Sequence, residues 1–431
     1  MQKKFAIGIV GVGYVGLTLG SYLSFNGFCS LYLYDNKANS LEEVLNRVGE
    51  IDAILGIEQA NSQGRIFFND KTVGDLDMLF ICVGTPLTKK AKEEQLQDFT
   101  KVILEHVPKL QSGGAIFIRS TVLVGTSNRI LEVLELKGRG DVKVYSAPER
   151  TLEGAALSEL RKLPQLLGAA ALDDLEDGDS LLSQLGFEVY CVSTSAAAEF
   201  TKLICNSWRD STFGFANELA LLAKDLRLSP FEVIEAANFD YPRSLIPYPG
   251  PVGGPCLTKD TYILMNSLDQ GDSKVSMMHS SRKVNERLWE DLINTIHEFV
   301  LINEINTILI VGVTFKGKPT TNDTRNSFGM DLLEKTISRF PEKSIYVWDD
   351  NLSINAAMIG AELVDLTNIP KTVELIVLAN NASFYSSLFS KSYMQSFKNK
   401  VAVFDIWKTI AGTSHDIEAE FYNLNGEIIE K

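Results

Sequence analysis

Along most of the chain, short apolar, β-branched runs alternate with helix-length stretches. Phe5 to Val10 is the first run, followed by a glycine-rich turn from Gly11 to Gly16, a helix predicted over Leu17 to Phe25 and a second strand over Leu31 to Tyr34. That succession is a βαβ unit. Apolar runs recur at Met78 to Val83, Ala115 to Ile118, Val142 to Tyr145 and Glu188 to Val192, with helix-length segments between most of them, as a mostly parallel sheet requires. From Ala196 to Leu228 the rhythm changes. Proline is absent there, and Phe200, Leu203, Ile204 and Trp208 recur at helical spacing, which predicts one long helix closed by Pro230. A loop dense in proline and glycine runs from Tyr241 to Lys259, and a further helical stretch reaches about Ile302. Thr307 to Val311 then opens a second α/β segment, continued by Ser344 to Trp348, Leu375 to Leu378 and Val401 to Phe404.

Composition narrows the classes. The 431 residues suit two or three domains, and 45% hydrophobic with 22% charged residues excludes disordered, collagen-like and disulfide-dense chains. Lys plus Arg number 41 against 55 Asp plus Glu, a net charge of −14 that repels a phosphate backbone and makes nucleic acid an unexpected partner. Cys29, Cys82, Cys191, Cys205 and Cys256 are few and odd in number, which argues against a disulfide framework and for a reducing, cytoplasmic setting. The uncharged run from Phe5 to Tyr34 imitates a leader or a span, but its six glycines make it too weakly apolar, and no membrane association is expected. The acidic run Asp173 to Asp177 predicts a solvated helix start or loop.

Gly11-Val12-Gly13-Tyr14-Val15-Gly16 fits G-x-G-x-x-G and lies where the mechanism needs it, after a strand and opening a helix. The first glycine permits the tight turn, the second admits a pyrophosphate to the backbone, and the third lets helix pack on strand. Asp35 ends the second strand, 19 residues beyond Gly16, where a carboxylate receives ribose hydroxyls and repels a 2′-phosphate, so NAD is favoured over NADP. The predicted fold class is therefore α/β, with two Rossmann-like doubly wound domains joined by a central helical domain with a long helix. Boundaries are expected at 1–195, 196–302 and 303–431.

Further candidates stand at later strand ends, where open α/β sheets bind ligands: Gly84-Thr85-Pro86, Ser120-Thr121 and Glu149-Arg150. Cys256 follows Gly253-Gly254-Pro255 and precedes Leu257-Thr258-Lys259-Asp260; glycines admit a ligand, and a helix start after the thiol would lower its pKa. Lys202 and Asn206, four apart on the long helix, share a face. None of His106, His279, His297 and His415 falls in a motif, and no metal-ligand spacing occurs.

Together these segments resemble the UDP-glucose/GDP-mannose dehydrogenase family. The motifs in register are Gly11 to Gly16, Val83-Gly84-Thr85-Pro86, Ser120-Thr121-Val122 with Gly125-Thr126, Pro148-Glu149-Arg150 with Glu153-Gly154, Lys202 to Asn206, Asn217-Glu218, Gly253 to Asp260, and Phe315-Lys316 followed by Asp323, Arg325 and Ser327. The resemblance implies NAD-dependent four-electron oxidation of the C6 hydroxyl of a nucleotide-diphosphate sugar, a UDP-hexose or UDP-N-acetylhexosamine ahead of a GDP-sugar, to the uronic acid. It makes Cys256 the nucleophile of a thiohemiacetal and a thioester. Lys202 and Asp260 would hold the reacting water, Asn206 would contact substrate and oxyanion, Thr121 would hold water and Glu149 would serve thioester hydrolysis. Glu149, Arg150, Glu153, Gly253, Gly254, Lys316 and Arg325 are the implied substrate contacts, with Arg243 reaching a neighbouring subunit. The cofactor contacts implied are Gly11, Gly13, Tyr14, Val15, Gly16, Asp35, Gly84, Thr85, Pro86, Ser120 and Thr121. A homodimer through the central helix is also implied.

Departures from the family pattern touch substrate choice. Pro255 stands where His or Ser is common, Thr258 where Pro or Gln is common, and Asp405-Ile406-Trp407-Lys408 replaces Asp-x-Arg, leaving Lys408 as a point-charge substitute. Two alternatives are a two-electron β-hydroxyacid dehydrogenase of the 6-phosphogluconate type and a non-catalytic NAD or nucleotide-sugar-binding regulator.

Overall fold

A computed structural model describes residues 5–25, 29–48, 51–85, 92–268, 276–350, 360–365, 368–385, 391–397, 401–410, 419–424 and 426. The chain forms two compact units, Met1–Asn206 with Lys259–Val275, and Ser207–Thr258 with Ser276–Lys431.

The first unit is built on eight strands: β1 (Phe5–Val10), β2 (Cys29–Tyr34), β3 (Ile66–Phe68), β4 (Leu76–Ile81), β5 (Leu110–Ile118), β6 (Lys143–Ser146), β7 (Gln165–Ala169) and β8 (Val189–Cys191). Their order in the sheet is β3-β2-β1-β4-β5-β6-β7-β8, parallel throughout except where β7 runs against β6. The first six strands thus follow the 3-2-1-4-5-6 order of a doubly wound dinucleotide fold. Both faces are covered, which is why the strands read as continuous apolar runs rather than as alternations. Met78 and Phe80 of β4 and Phe117 of β5 enter one core; Leu79, Ile81, Ile116 and Ile118 enter the other. Phe80, Phe117 and Tyr145 stack across three neighbouring strands at centroid distances of 5.0 and 4.8 Å.

The helices that matter for the site are α1 (Tyr14–Phe25), α2 (Leu41–Arg47), α3 (Ile51–Ser62), α4 (Lys92–His106), α5 (Thr126–Leu136), α6 (Ala156–Leu160), α7 (Leu175–Gln184) and the long α8 (Ser195–Leu226). The acidic run is a 3₁₀ turn, Leu172–Asp174, leading into α7. It is not wholly solvated, because Lys143 pairs with both Asp174 and Asp177.

In the second unit α9 (Pro230–Asn238) follows α8, then come α10 (Leu257–Asn266), whose first two residues belong here, and α11 (Ser276–Ile302). Pro230 is not what closes the long helix: α8 ends at Leu226, where Arg227 turns to φ +56° and Leu228 N–H bonds back to the Ala223 carbonyl at 2.9 Å. Pro230 instead opens the next helix, with Ser229 capping α9 through Glu232 N–H and Pro230 in the first turn, where its missing N–H is not needed. A second parallel sheet comprises β9 (Thr307–Val311), β10 (Ser344–Trp348), β11 (Glu362–Leu363), β12 (Leu375–Leu378), β13 (Val401–Asp405) and β14 (Ala419–Tyr422), in the order β11-β10-β9-β12-β13-β14. With α12 (Phe328–Arg339) and α13 (Lys391–Met394) it repeats the first topology. Here too alternate residues serve opposite cores: Ile308 and Ile310 one, Leu309 and Val311 the other.

Candidate active site

In the first unit the turn between β1 and α1 is held at both ends. Gly11 N–H bonds the carbonyl of Tyr34 at 2.8 Å, and Gly11 itself has φ +88°, a left-handed conformation that L side chains rarely adopt. A Cβ on Gly11 would lie 2.8 Å from Val83 backbone, and one on Gly16 would run into the Gly11 carbonyl. A Cβ on Gly13 would meet nothing within 4 Å. The first and third glycines are therefore required by the protein's own packing, while the second leaves a space that the fold does not fill. A dinucleotide pyrophosphate fits there, facing the start of α1. Asp35 stands at the end of β2 and accepts from Val12 N–H at 3.0 Å and Lys37 N–H at 2.8 Å. Burial alone would raise its pKa; Arg47 and these N–H groups more than offset that and hold the carboxyl below its ordinary range.

The loops after β4 and β5 are tied together. Ser120 Oγ donates to the Val83 carbonyl at 2.7 Å, and Thr85 Oγ1 to the Thr121 carbonyl at 2.5 Å. Ser120 is buried, so its hydroxyl serves the backbone, whereas Gly84 is exposed and Thr121 partly so. Pro86 lies outside the described residues. Glu149 is buried against the guanidinium of Arg119, which also bonds Gln165 at 2.8 Å, and its other oxygen accepts from the N–H groups of Arg150 and Thr151. Burial pushes the Glu149 carboxyl up, but Arg119 and those N–H groups win and keep it low. Arg150 donates to the Pro164 carbonyl at 2.6 Å, and Glu153 lies partly buried beyond it.

A polar cluster sits on α8 beside α10. Asp260 is fully buried, accepting from Asn206 Nδ2 at 2.5 Å and from Lys259 Nζ at 3.0 Å. Lys202, one turn before Asn206, is also buried and makes no ion pair among the described residues. A buried ammonium with no carboxylate to neutralise it is suited to stabilising negative charge on a ligand or a water. One turn earlier still, Glu199 accepts from Gly125 N–H at 2.6 Å and from Ser127 N–H and Oγ at 2.8 and 2.6 Å. It caps α5, whose own N-cap residue is a glycine, and so fastens the loop bearing Thr121 to the helix bearing Lys202.

In the second unit the proline- and glycine-dense loop is held from several sides. Gly254 has φ +90° and packs on Phe315; its N–H bonds the Asn326 carbonyl at 2.9 Å. Thr258 Oγ1 donates back to the Gly254 carbonyl at 2.8 Å and accepts from Asn326 Nδ2 at 2.9 Å, which bends the chain into α10 immediately after Cys256. Cys256 is exposed, and none of the five cysteines is in a disulfide. Gly253 lies against Trp289. Further along the loop, Asn217 accepts from Gly250 N–H at 2.8 Å and donates to its carbonyl at 3.0 Å. Asn217 also donates to Asn285, which bonds Asp210, and Asp210 is paired with Arg282 at 2.7 Å, every member buried.

Lys316 lies over the Phe315 ring at 5.2 Å, and Arg325 grips Asp323 through Nε and Nη2, which stabilises its own loop. Arg243 is exposed and rests on Tyr241 at 4.6 Å. Lys408 Nζ bonds Glu235 at 2.6 Å and lies over the Phe231 ring. Trp407 covers Gly250, where a Cβ would collide with the indole. Among the described residues no group of three or more His, Cys, Asp or Glu side chains is placed to hold a metal ion, and no helix is long and apolar enough to cross a membrane.

Sequence comparison identifies the family. The NAD-binding-domain model of the UDP-glucose/GDP-mannose dehydrogenase family matches residues 5–186, and the model of its central domain matches 196–287. The chain belongs to that family. It is an NAD-dependent dehydrogenase of the nucleotide-sugar class. Similar proteins include a UDP-N-acetyl-D-mannosamine dehydrogenase of Methanocaldococcus jannaschii, 26% identical over 97% of this chain and 94% of that one. An NDP-N-acetyl-D-galactosaminuronic acid dehydrogenase of Ralstonia nicotianae is 24% identical over 86% and 89%. Among solved structures, a UDP-D-ManNAc dehydrogenase from Pyrococcus horikoshii superposes with a TM-score of 0.81 at 25% identity, covering 98% of this chain and 99% of that one.

Residue patterns alone do not reveal several of the charged groups around these candidates. Glu199 lies one helical turn from Lys202, the only local hint of it, and the partner of Glu149 was Arg119, adjacent to Ser120. Asp349 ends β10 as Asp35 ends β2, and accepts from Thr314 N–H at 2.9 Å, repeating in the second sheet the bond from Val12 to Asp35.

Proposed function

We propose that this protein oxidises the C6 hydroxyl of a UDP-sugar to the carboxylate in two steps, with Cys256 holding the sugar between them. The observation that supports this most is Asp260, fully buried and bonded to Asn206 and Lys259, four residues after an exposed thiol at the start of the same helix. NAD, when bound on the Gly11–Gly16 turn, accepts one hydride in each oxidation. Between them the Cys256 thiolate adds to the aldehyde carbon, giving a thiohemiacetal whose oxidation leaves a thioester, and water then releases the acid and restores the thiol. Lys202 and Asp260 orient that water and Asn206 donates to the developing oxyanion, with Thr121 in the same water path. Glu149, with both oxygens engaged, enters this reading as a fixed negative charge. Arg150, Glu153, Gly253, Gly254, Lys316 and Arg325 remain the proposed sugar and phosphate contacts.

The full-length similarity to UDP-N-acetyl-D-mannosamine dehydrogenases makes a UDP-N-acetylhexosamine the substrate to try first. Trp208, Phe215 and Leu222, seven residues apart on α8 and each more than half exposed, form an apolar stripe that suits a second copy of the chain, as a homodimer through this helix requires; Arg243 would then serve the neighbouring subunit. Five cysteines without a disulfide suit the cytoplasm.

The test is stoichiometric. A panel of UDP- and GDP-sugars is incubated with the purified protein and NAD, and NADH formed is counted against sugar consumed. Two NADH per sugar supports the thioester route, one supports a two-electron dehydrogenase, and none with any sugar supports a regulator. Cys256→Ser with undiminished turnover would defeat the covalent route.

A further inference from the structure

Asp35 is more heavily engaged than a bare ribose acceptor. Its Oδ2 accepts from Val12 N–H at 3.0 Å and from Arg47 Nη2 at 2.9 Å, and its Oδ1 from Lys37 N–H at 2.8 Å and from Arg47 Nη1 at 3.4 Å. A carboxylate offers about four lone-pair positions, so all are in use. Arg47, the last residue of α2, also donates from Nη2 to the Val12 carbonyl at 3.2 Å. The guanidinium is thereby tied to the cofactor turn as well as to the acid. The Arg47 side chain is 36% exposed and that of Asp35 only 7%, so the cation lies on the solvent side of the pair.

An acidic residue at this strand end selects NAD because its charge repels a 2′-phosphate, whereas an arginine there accommodates one. This chain has both, on one pair of oxygens. We propose that Arg47 sets how strictly the protein discriminates NAD from NADP: it cancels the formal charge of Asp35 and presents a planar, two-pronged donor to any phosphate on the 2′ oxygen. The consequence runs against the usual direction of cofactor engineering. Removing this arginine exposes the carboxylate and sharpens the preference for NAD.

The experiment is equilibrium binding of NAD and of NADP to the full-length protein by titration calorimetry, for wild type, Arg47→Ala, Arg47→Met and Asp35→Asn. No sugar is present, so the outcome is independent of the thioester chemistry. A unit charge lost beside a group carrying about −2 is expected to weaken NADP about tenfold more than NAD. Both Arg47 variants should therefore raise the ratio of the NADP to the NAD dissociation constant about tenfold, and Asp35→Asn should lower it. Arg47→Met retains the aliphatic stem and guards against a packing defect in the alanine variant. A ratio that stays level or falls in both Arg47 variants overturns the proposal.

Discussion

Glu199 permits a quantitative prediction. It is 2% exposed, and burial raises its pKa from the ordinary 4.5 to about 7 despite the hydrogen bonds from Ser127 and Gly125 that favour the anion. An acid whose pKa is higher folded than unfolded binds its proton more tightly in the folded state, so it costs stability as pH rises from the unfolded value through the folded one, and the full cost is present above the folded value. Replacing it by glutamine removes the titration while retaining an acceptor. Between about pH 5.5 and about pH 8.5 the wild type should lose about 2 kcal/mol relative to Glu199→Gln. Hydrogen exchange at the start of α5, over Gly125 to Ser127, reports the opening that frees this carboxyl, once rates are corrected for intrinsic pH dependence. The glutamine amide faces one of the N–H donors, which adds a constant offset; only the change of the difference with pH matters. If the difference between the two proteins is the same at both pH values, Glu199 is not the titrating group and the argument fails.

Three other substitutions probe separate parts. Arg119→Met leaves the Glu149 carboxylate buried without its cation and should cost about 3–5 kcal/mol. Far-ultraviolet circular dichroism is the readout, since Trp208, Trp289, Trp348 and Trp407 all lie in the second unit. Gly13→Ala places a methyl group where no protein atom lies within 4 Å, so the melting temperature should hold while NAD binding by calorimetry weakens at least about tenfold. Asn217→Ala strips Gly250 of both its backbone partners and should destabilise the second unit by about 2–3 kcal/mol in denaturation followed by tryptophan fluorescence.

Much of the fold could be read along the chain. Strands Phe5–Val10, Thr307–Val311, Ser344–Trp348 and Leu375–Leu378 fall where the apolar runs put them, because a strand buried on both faces leaves an unbroken apolar signature. The strand Gln165–Ala169 carries no such signature: it is short, contains Gly168, and pairs antiparallel with β6. Helix α1 begins at Tyr14, three residues before the predicted start at Leu17, since the glycine pattern conceals that Tyr14 and Val15 are already helical.

What the sequence determined alone is whatever depends on local geometry: a glycine turn between strand and helix, the carboxylate at the end of the next strand, and a thiol before a helix start. Those features need only neighbours a few residues away. The tertiary structure decided which charges meet. Glu199 finds the start of α5 across 72 positions, Arg119 finds Glu149 across 30, Asn217 finds Gly250 across 33, and Arg47 turns back 12 to Asp35. Such pairings follow from how helices settle on a sheet, and burial then makes them strong, because a charge removed from water must be met by another group or remain costly.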